Sequence, residues 1–269
     1  MIMRKFLLGA LIAFPFLSIA QSMDESYYSI TVGGGLTGAS VSSNSQAIYD
    51  DRPSSDYRTY KEFADAIKKN QSTRLNFSAH AWYNKALGFN WTLQAGIGYV
   101  DMGFRYEQNK LQDGDYIKKG VGEGRIWDKS NVEKNLNYDY RFHYVDIPVW
   151  FNYELFKSKD YKTIYQFTAG VAVNILVKHQ LTARLDGFTI DGKDKFQVNN
   201  TGLDARAFNM QLNAGFKVIH KLDKQTTVIV QPMYSMHPVS VSNSNLSVNP
   251  YSIMLHAGLV IDLNKFKRE

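Results

Sequence analysis

Residues 163–177 read Thr-Ile-Tyr-Gln-Phe-Thr-Ala-Gly-Val-Ala-Val-Asn-Ile-Leu-Val. Tyr165, Phe167, Ala169, Val171, Val173, Ile175 and Val177 share one parity, and Gln166, Thr168, Gly170, Ala172 and Asn174 share the other. Successive side chains of a strand point to opposite sides of a sheet, so this period of two is a strand signature. Globular strands usually run about 5–6 residues, whereas a tilted strand crossing a bilayer needs about 9–11. The stretch fits the second length.

Seven more segments carry the same alternation. They lie at 27–37, 73–84, 89–106, 139–154, 206–218, 226–237 and 250–263. In the segment at 73–84, Leu75, Phe77, Ala79, Ala81 and Tyr83 alternate with Arg74, Asn76, Ser78, His80 and Trp82. In that at 139–154, Val145, Ile147, Val149, Phe151 and Tyr153 alternate with Asp146, Pro148, Trp150 and Asn152. Short connections near 85–88, 155–162 and 219–225 alternate with long ones near 38–72, 107–138, 178–205 and 238–249. That rhythm is the mark of transmembrane β-barrels, whose short turns face the periplasm and whose long loops face outward.

The expected fold is therefore all-β: a closed antiparallel transmembrane barrel of eight strands with long extracellular loops and short periplasmic turns. Ten strands stay open as an alternative, because Leu181–Ile190 and Lys195–Val198 also have strand character. Closure is demanded by the solvent, since lipid cannot satisfy an open sheet edge. A soluble lipocalin-like barrel would place its apolar residues inside. Here the less apolar parity holds small residues, Asn, Gln, His, Arg74 and Asp146, which suits a crowded polar interior. Tyr28, Tyr83, Trp91, Tyr153 and Tyr165 form the expected girdle on the turn side, and Phe104, Tyr144, Tyr234 and Tyr251 the girdle towards the loops.

Arg4 and Lys5, the apolar run Phe6–Leu17 and the small residues Ser18 and Ala20 have the layout of a secretory signal cleaved after Ala20. The expected domains are thus 1–20, a removed signal peptide, and 21–269, the barrel. The chain has no cysteine, which excludes disulfides and thiolate metal sites. Its net charge of +6 is no argument for nucleic acid, which is not expected as a partner. Lys157, Lys159 and Lys162 lie in one short turn, where they read as ordinary solvated lysines.

Few motifs point to chemistry. Gly33-Gly34-Gly35-Leu36-Thr37-Gly38 satisfies the spacing GxGxxG, but the glycines fall inside a strand with no helix to receive a phosphate. Close packing of the interior, or a bend, is the better reading. The six histidines show no metal-ligand spacing, and no cofactor is expected. His80, His237 and His256 face inward on this register, where interior polar groups need hydrogen-bond partners. Ser235 or Ser252 beside a histidine keeps a lipid-modifying enzyme as an alternative, although such a pair belongs at the lipid-facing rim. A narrow channel or ligand-binding barrel is the other. Arg74, Asp146, His80 and His256 are the structural interior candidates, with Arg74 and Asp146 expected to pair across the lumen. No catalytic residue is assigned.

His256-Ala257-Gly258-Leu259-Val260-Ile261-Asp262-Leu263 resembles the terminal signal read by the outer-membrane barrel assembly machinery. Tyr144-Val145-Asp146-Ile147-Pro148-Val149-Trp150-Phe151-Asn152-Tyr153 resembles the "Y-x-E/D-I-P-L-x-x-K-Y" strand of PorT-like outer-membrane β-barrel proteins of Bacteroidetes, with Asn152 where lysine is frequent. The glycine-rich first strand and the Gly258-containing last strand agree with that layout. The resemblance implies an integral outer-membrane protein of the Gram-negative envelope, whose founding relatives are associated with type IX secretion. The expected partners are outer-membrane lipids, the barrel assembly machinery and envelope or secretion proteins, in a structural or interaction role without enzymatic activity.

Overall fold

A computed structural model describes residues 26–47, 59–111, 116–117, 124–125, 134–186, 195–198, 203–223 and 226–261. The expected signal peptide and the tail after Ile261 lie outside these residues. Eight long strands form the wall: β1 (Ser26–Ser42), β3 (Arg74–Gly88), β4 (Trp91–Leu111), β7 (Lys134–Lys157), β8 (Thr163–Asp186), β10 (Phe208–Lys221), β11 (Thr227–Met236) and β12 (Ser247–Ile261). Each is antiparallel to its neighbours, in the order β10-β11-β12-β1-β3-β4-β7-β8. Pairing of β8 with β10 closes the ring, so no wall strand has a free edge. The seam between the first and last strands runs from Tyr28↔Ile261 to Ser42↔Ser247.

Among the described residues the wall has eight strands, with short additions at the long-loop end. β2 (Gln71–Ser72) continues the line of β3 against β4, and β9 (Lys195–Val198) pairs with the upper part of β8. A two-stranded ribbon, β5 (Tyr116–Ile117) and β6 (Gly124–Arg125), stands apart. The segment at 195–198, read in the sequence as part of a ten-strand count, is therefore a flap on β8 rather than a wall strand. At the opposite end, Phe89 and Asn90 take positive φ values of 48° and 67°, the geometry of a tight two-residue hairpin. That places the turn one residue beyond the expected 85–88.

Within the apolar belt, exposed residues recur at every second position of the wall strands. Ile30 and Val32 of β1, Phe77 of β3, Ile97 of β4, Ile147 of β7, Val171 and Val173 of β8, Phe216 of β10 and Leu255 of β12 all project outward and are exposed. A continuous apolar belt thus surrounds the barrel, as lipid contact requires. Among the described residues no helix is long and apolar enough to cross a membrane, so the crossing is made by strands.

Above the belt the arrangement inverts. Tyr138, Tyr140, Phe142 and Tyr144 of β7 point inward and are fully buried, as are Phe104 and Tyr106 of β4. They pack with Ala39, Val41, Leu181 and Val248 into an apolar core inside the upper barrel. The expected girdle is corrected accordingly: Phe104 and Tyr144 belong to this core, because there the outside is wet and the apolar face turns in.

Helix α1 (Tyr60–Asn70) seals that core, with Phe63, Ala64 and Ile67 buried in it. Its start is a capping box: Thr59 Oγ1 accepts from the Glu62 amide at 3.2 Å, and Glu62 Oε2 accepts from the Thr59 amide at 3.0 Å. Lys68 and Lys69 in the last turn complement the negative end of the helix dipole.

Candidate functional site

The interior is the place where polar chemistry is concentrated, and it is built in three layers. Nearest the short turns lies Lys217 of β10, whose side chain is fully buried. Its Nζ donates to Gln94 Oε1 at 3.1 Å and to Asn84 Oδ1 at 3.4 Å. Asn152 Nδ2 donates to the same Gln94 oxygen at 3.1 Å, and Thr168 Oγ1 donates to Asn152 Oδ1 at 2.7 Å. Gln231 Nε2 donates to Thr168 Oγ1 at 3.2 Å, and Asn84 Nδ2 to Ser29 Oγ at 3.0 Å. One connected network thereby ties together β1, β3, β4, β7, β8, β10 and β11. Such networks hold buried polar groups only when their members are partnered.

The middle layer is aromatic. Trp82 and Trp150 pack with ring centroids 4.3 Å apart, and Met233 joins them from β11. Trp82 Nε1 donates to Thr31 Oγ1 at 2.9 Å. Inward glycines make the space: a Cβ on Gly170 would stand 2.7 Å from Trp150, and one on Gly33 would stand 2.0 Å from the His256 ring. Gly33 to Gly35 thus lie within a strand, and what Gly33 makes room for is a side chain.

Above the tryptophans, His80 Nε2 donates to Asp146 Oδ2 at 2.9 Å, and Asn174 Nδ2 donates to Asp146 Oδ1 at 2.8 Å. His237 Nε2 donates to Asn174 Oδ1 at 3.1 Å. His256 Nε2 and Ser78 Oγ are hydrogen-bonded at 3.2 Å, and the His256 ring lies 5.7 Å from that of His80. This Ser–His contact lies inside the barrel, with Ser78 and His256 both buried and Trp150 stacked on His256 at 6.3 Å. Ser235, weighed in the sequence as a nucleophile, donates instead to Asn213 Oδ1 at 2.6 Å inside the barrel, and Ser252 is fully buried.

Arg74, Asp146, His80 and His256 are all buried, but they do not form the expected set of contacts. Arg74 and Asp146 have separate partners. The Arg74 guanidinium makes a bidentate fork on Asp101, at 2.9 Å to each oxygen, and its Nε lies 3.2 Å from Asp139 Oδ1. Asp139 Oδ2 also accepts from Arg141 at 2.8 Å. The cause is local: Ser72 pairs with Arg105 and Phe77 with Asp101, so the first chain spends one more residue than the second over that interval. The extra residue changes which side of the wall Arg74 reaches. Asp146 takes His80 and Asn174 instead.

Lys217, Asp101 and Asp139 were not singled out in the sequence. Lys217 was within reach, since it continues the inward parity of Asn209, Gln211, Asn213 and Gly215. Asp101 and Asp139 lie in the upper barrel, where outward positions are polar. Among the described residues no three His, Asp or Glu side chains converge as a metal ion requires. At the short-turn end a shallow vestibule of about 360 Å³ opens between Tyr27, Trp91, Glu154 and Gln166.

Solved structures similar to this chain share little sequence with it. Ail, the attachment invasion locus protein of Yersinia pestis, is 11% identical with a TM-score of 0.32, over 88% of this chain and 100% of that one. Neisserial surface protein A is 9% identical with a TM-score of 0.37, over 87% of this chain and 98% of that one. No match is found among curated protein sequences. The family model of the outer membrane protein beta-barrel domain matches residues 19–229, most of the sequence. The chain belongs to the outer membrane protein beta-barrel domain family, and its place is the outer membrane.

Proposed function

We propose that this protein is a non-enzymatic outer-membrane barrel with a structural or interaction role, acting through its extracellular cap in secretion or envelope assembly. The observation that carries the reading is the filled interior. An amide network around Lys217, a Trp82–Trp150 layer and an Asp146-centred layer occupy the lumen in succession, and α1 closes the outer end. An eight-strand barrel has room for side chains or one small ligand, and here side chains fill it, so such a post transmits contacts rather than solutes. The strand at 144–153, similar to that of PorT-like proteins of Bacteroidetes, supports a place beside secretion or assembly proteins. The terminal-strand motif at 256–263 supports insertion by the barrel assembly machinery, and the leader at 1–20 supports export with removal of a signal peptide.

Chemical crosslinking in intact outer membranes, followed by recovery of the tagged chain, tests this role. The expected result is a stoichiometric envelope protein crosslinked through the extracellular segments. Recovery of the barrel alone, under conditions that crosslink other outer-membrane assemblies, overturns it. Sequencing the N-terminus of the mature protein checks cleavage after Ala20.

A further inference from the structure

We propose that the outer wall above the apolar belt, on β4, β7 and β8, holds the phosphorylated headgroup of an outer-leaflet glycolipid. On that wall a groove of about 560 Å³ lies between Arg105, Glu107, Asn137, Asp139, Arg141 and Arg184. It begins just above the level at which the outward residues cease to be apolar: Tyr99 gives way to Asp101 on β4, Val145 to His143 on β7, and Val177 to Lys178 on β8. A lipid whose acyl chains lie against Ile97, Ile147, Val173 and Val177 presents its headgroup at this height.

The charges in the groove are only partly used up by each other. Asp139 is engaged by both Arg74 and Arg141, and Asp101 by Arg74. Arg105 and Arg184 are exposed and have no ion-pair partner among the described residues. Glu107 is the only carboxylate of the groove lining without an ion pair to an arginine among the described residues, and it sets the charge limit of the site. Lys178 adds an exposed cation one row below. Two guanidinium groups without an ion pair among the described residues suit a phosphate, which they bind through paired N–H donors.

The feature is confined to one sector. Strands β1, β11 and β12 contain no Asp, Glu, Lys or Arg over their whole length. Above the belt, β1 and β12 offer Ser40, Ser42, Ser247 and Asn249 instead. A general attraction to an anionic surface would need no such asymmetry, whereas a seat for one headgroup does.

The test uses the full chain extracted from outer membranes in mild detergent. A purified acylated glucosamine disaccharide carrying two phosphates is added, and retention is read by native mass spectrometry. The expected result is one retained lipid, bound at least about tenfold more weakly by the Arg105→Ala/Arg184→Ala variant, equivalent to about 1.4 kcal/mol. The same lipid stripped of phosphate should bind the parent protein with a comparable loss, and a Lys157→Ala control at the other rim should bind unchanged. Equal retention of the phosphate-free lipid overturns the proposal, and this arm needs no variant to fold. Unchanged binding by a variant that keeps its heat-modifiable gel migration overturns it as well. If inorganic phosphate alone displaces the lipid at equal concentration, the groove is a site for free anions and the lipid assignment is wrong.

Discussion

Removing the guanidinium of Arg74 leaves two carboxylates, Asp101 and Asp139, facing each other with less compensation. Both are mostly buried, at 14% and 17% exposure. Breaking a buried pair by deleting one partner typically costs about 3–5 kcal/mol. Arg141 still serves Asp139, which sets the expected cost of Arg74→Ala at the lower end, about 3 kcal/mol, read from urea unfolding of the barrel in lipid vesicles. Arg74→Ala and Asp146→Ala share no partner, so their effects should add within about 0.5 kcal/mol. A large coupling between them would restore the pairing expected from sequence. Gly33→Val is the packing counterpart. Its side chain would collide with the His256 ring, itself held by Trp150 and His80, at an expected cost of about 1–3 kcal/mol in the same assay. Inward parity made His80, Asp146 and His256 legible in the sequence, because parity needs only the strand. Their partners were not, because a one-residue offset between β3 and β4 decides which side of the wall Arg74 reaches.

At the scale of the element, β7 carries the most information. Its apolar residues fall on even numbers from Tyr138 to Tyr144 and on odd numbers from Val145 to Tyr153. The backbone alternation is unbroken, so the switch marks where the solvent outside changes from water to lipid. Period two was legible throughout, but it is silent about which face is dry, and Phe104 and Tyr144 were placed in the loop-side girdle for that reason. Helix α1 was missed although Thr59-Tyr60-Lys61-Glu62 spells a capping box, since it sits in a long charged connection. Thr59→Ala should weaken the helix by about 1 kcal/mol. Phe63→Ala should open a cavity in the cap at about 3–5 kcal/mol. Limited proteolysis should then cut near 60–70 while the wall strands keep their heat-modifiable migration. Loss of both together would mean that cap and wall fold as one unit.

The cap should also respond to pH. His179 stacks on Phe142 with centroids 4.7 Å apart, and burial, helped by nearby His143, pushes its imidazole down to about 4. An unfolded histidine titrates near 6.5, so between these values the opened state binds the extra proton. This contribution to stability is complete above about pH 6.5 and declines as pH falls towards about 4. Hydrogen exchange of the amides at 176–184, corrected for intrinsic rates, should accelerate from pH 7 to pH 5 in the parent and less so in His179→Gln. Equal acceleration in both would assign the effect to another group.

For the whole molecule, the question is whether the barrel conducts. Eight strands enclose little more than their own side chains, and here the middle of the lumen is spanned by Trp82, Trp150 and Met233. A polar lining alone would suggest a pore, and the sequence, rich in inward Asn, Gln and His, left that alternative open. What sequence could not convey is that the inward glycines Gly96 and Gly170 let the two indoles lie over the neighbouring strands, turning a polar tube into a filled one. Wild-type protein in planar bilayers should therefore show no unitary conductance steps. Trp82→Ala/Trp150→Ala removes most of the aromatic layer, yet Lys217 and its amides remain below it and the Asp146 layer above. That variant should still not conduct steadily, and adding Lys217→Ala should be needed before brief openings appear, because each layer independently excludes a continuous water column. Steady steps from the wild type would mean that the layers move apart in the membrane, and the reading of the barrel as a solid post would fall with them.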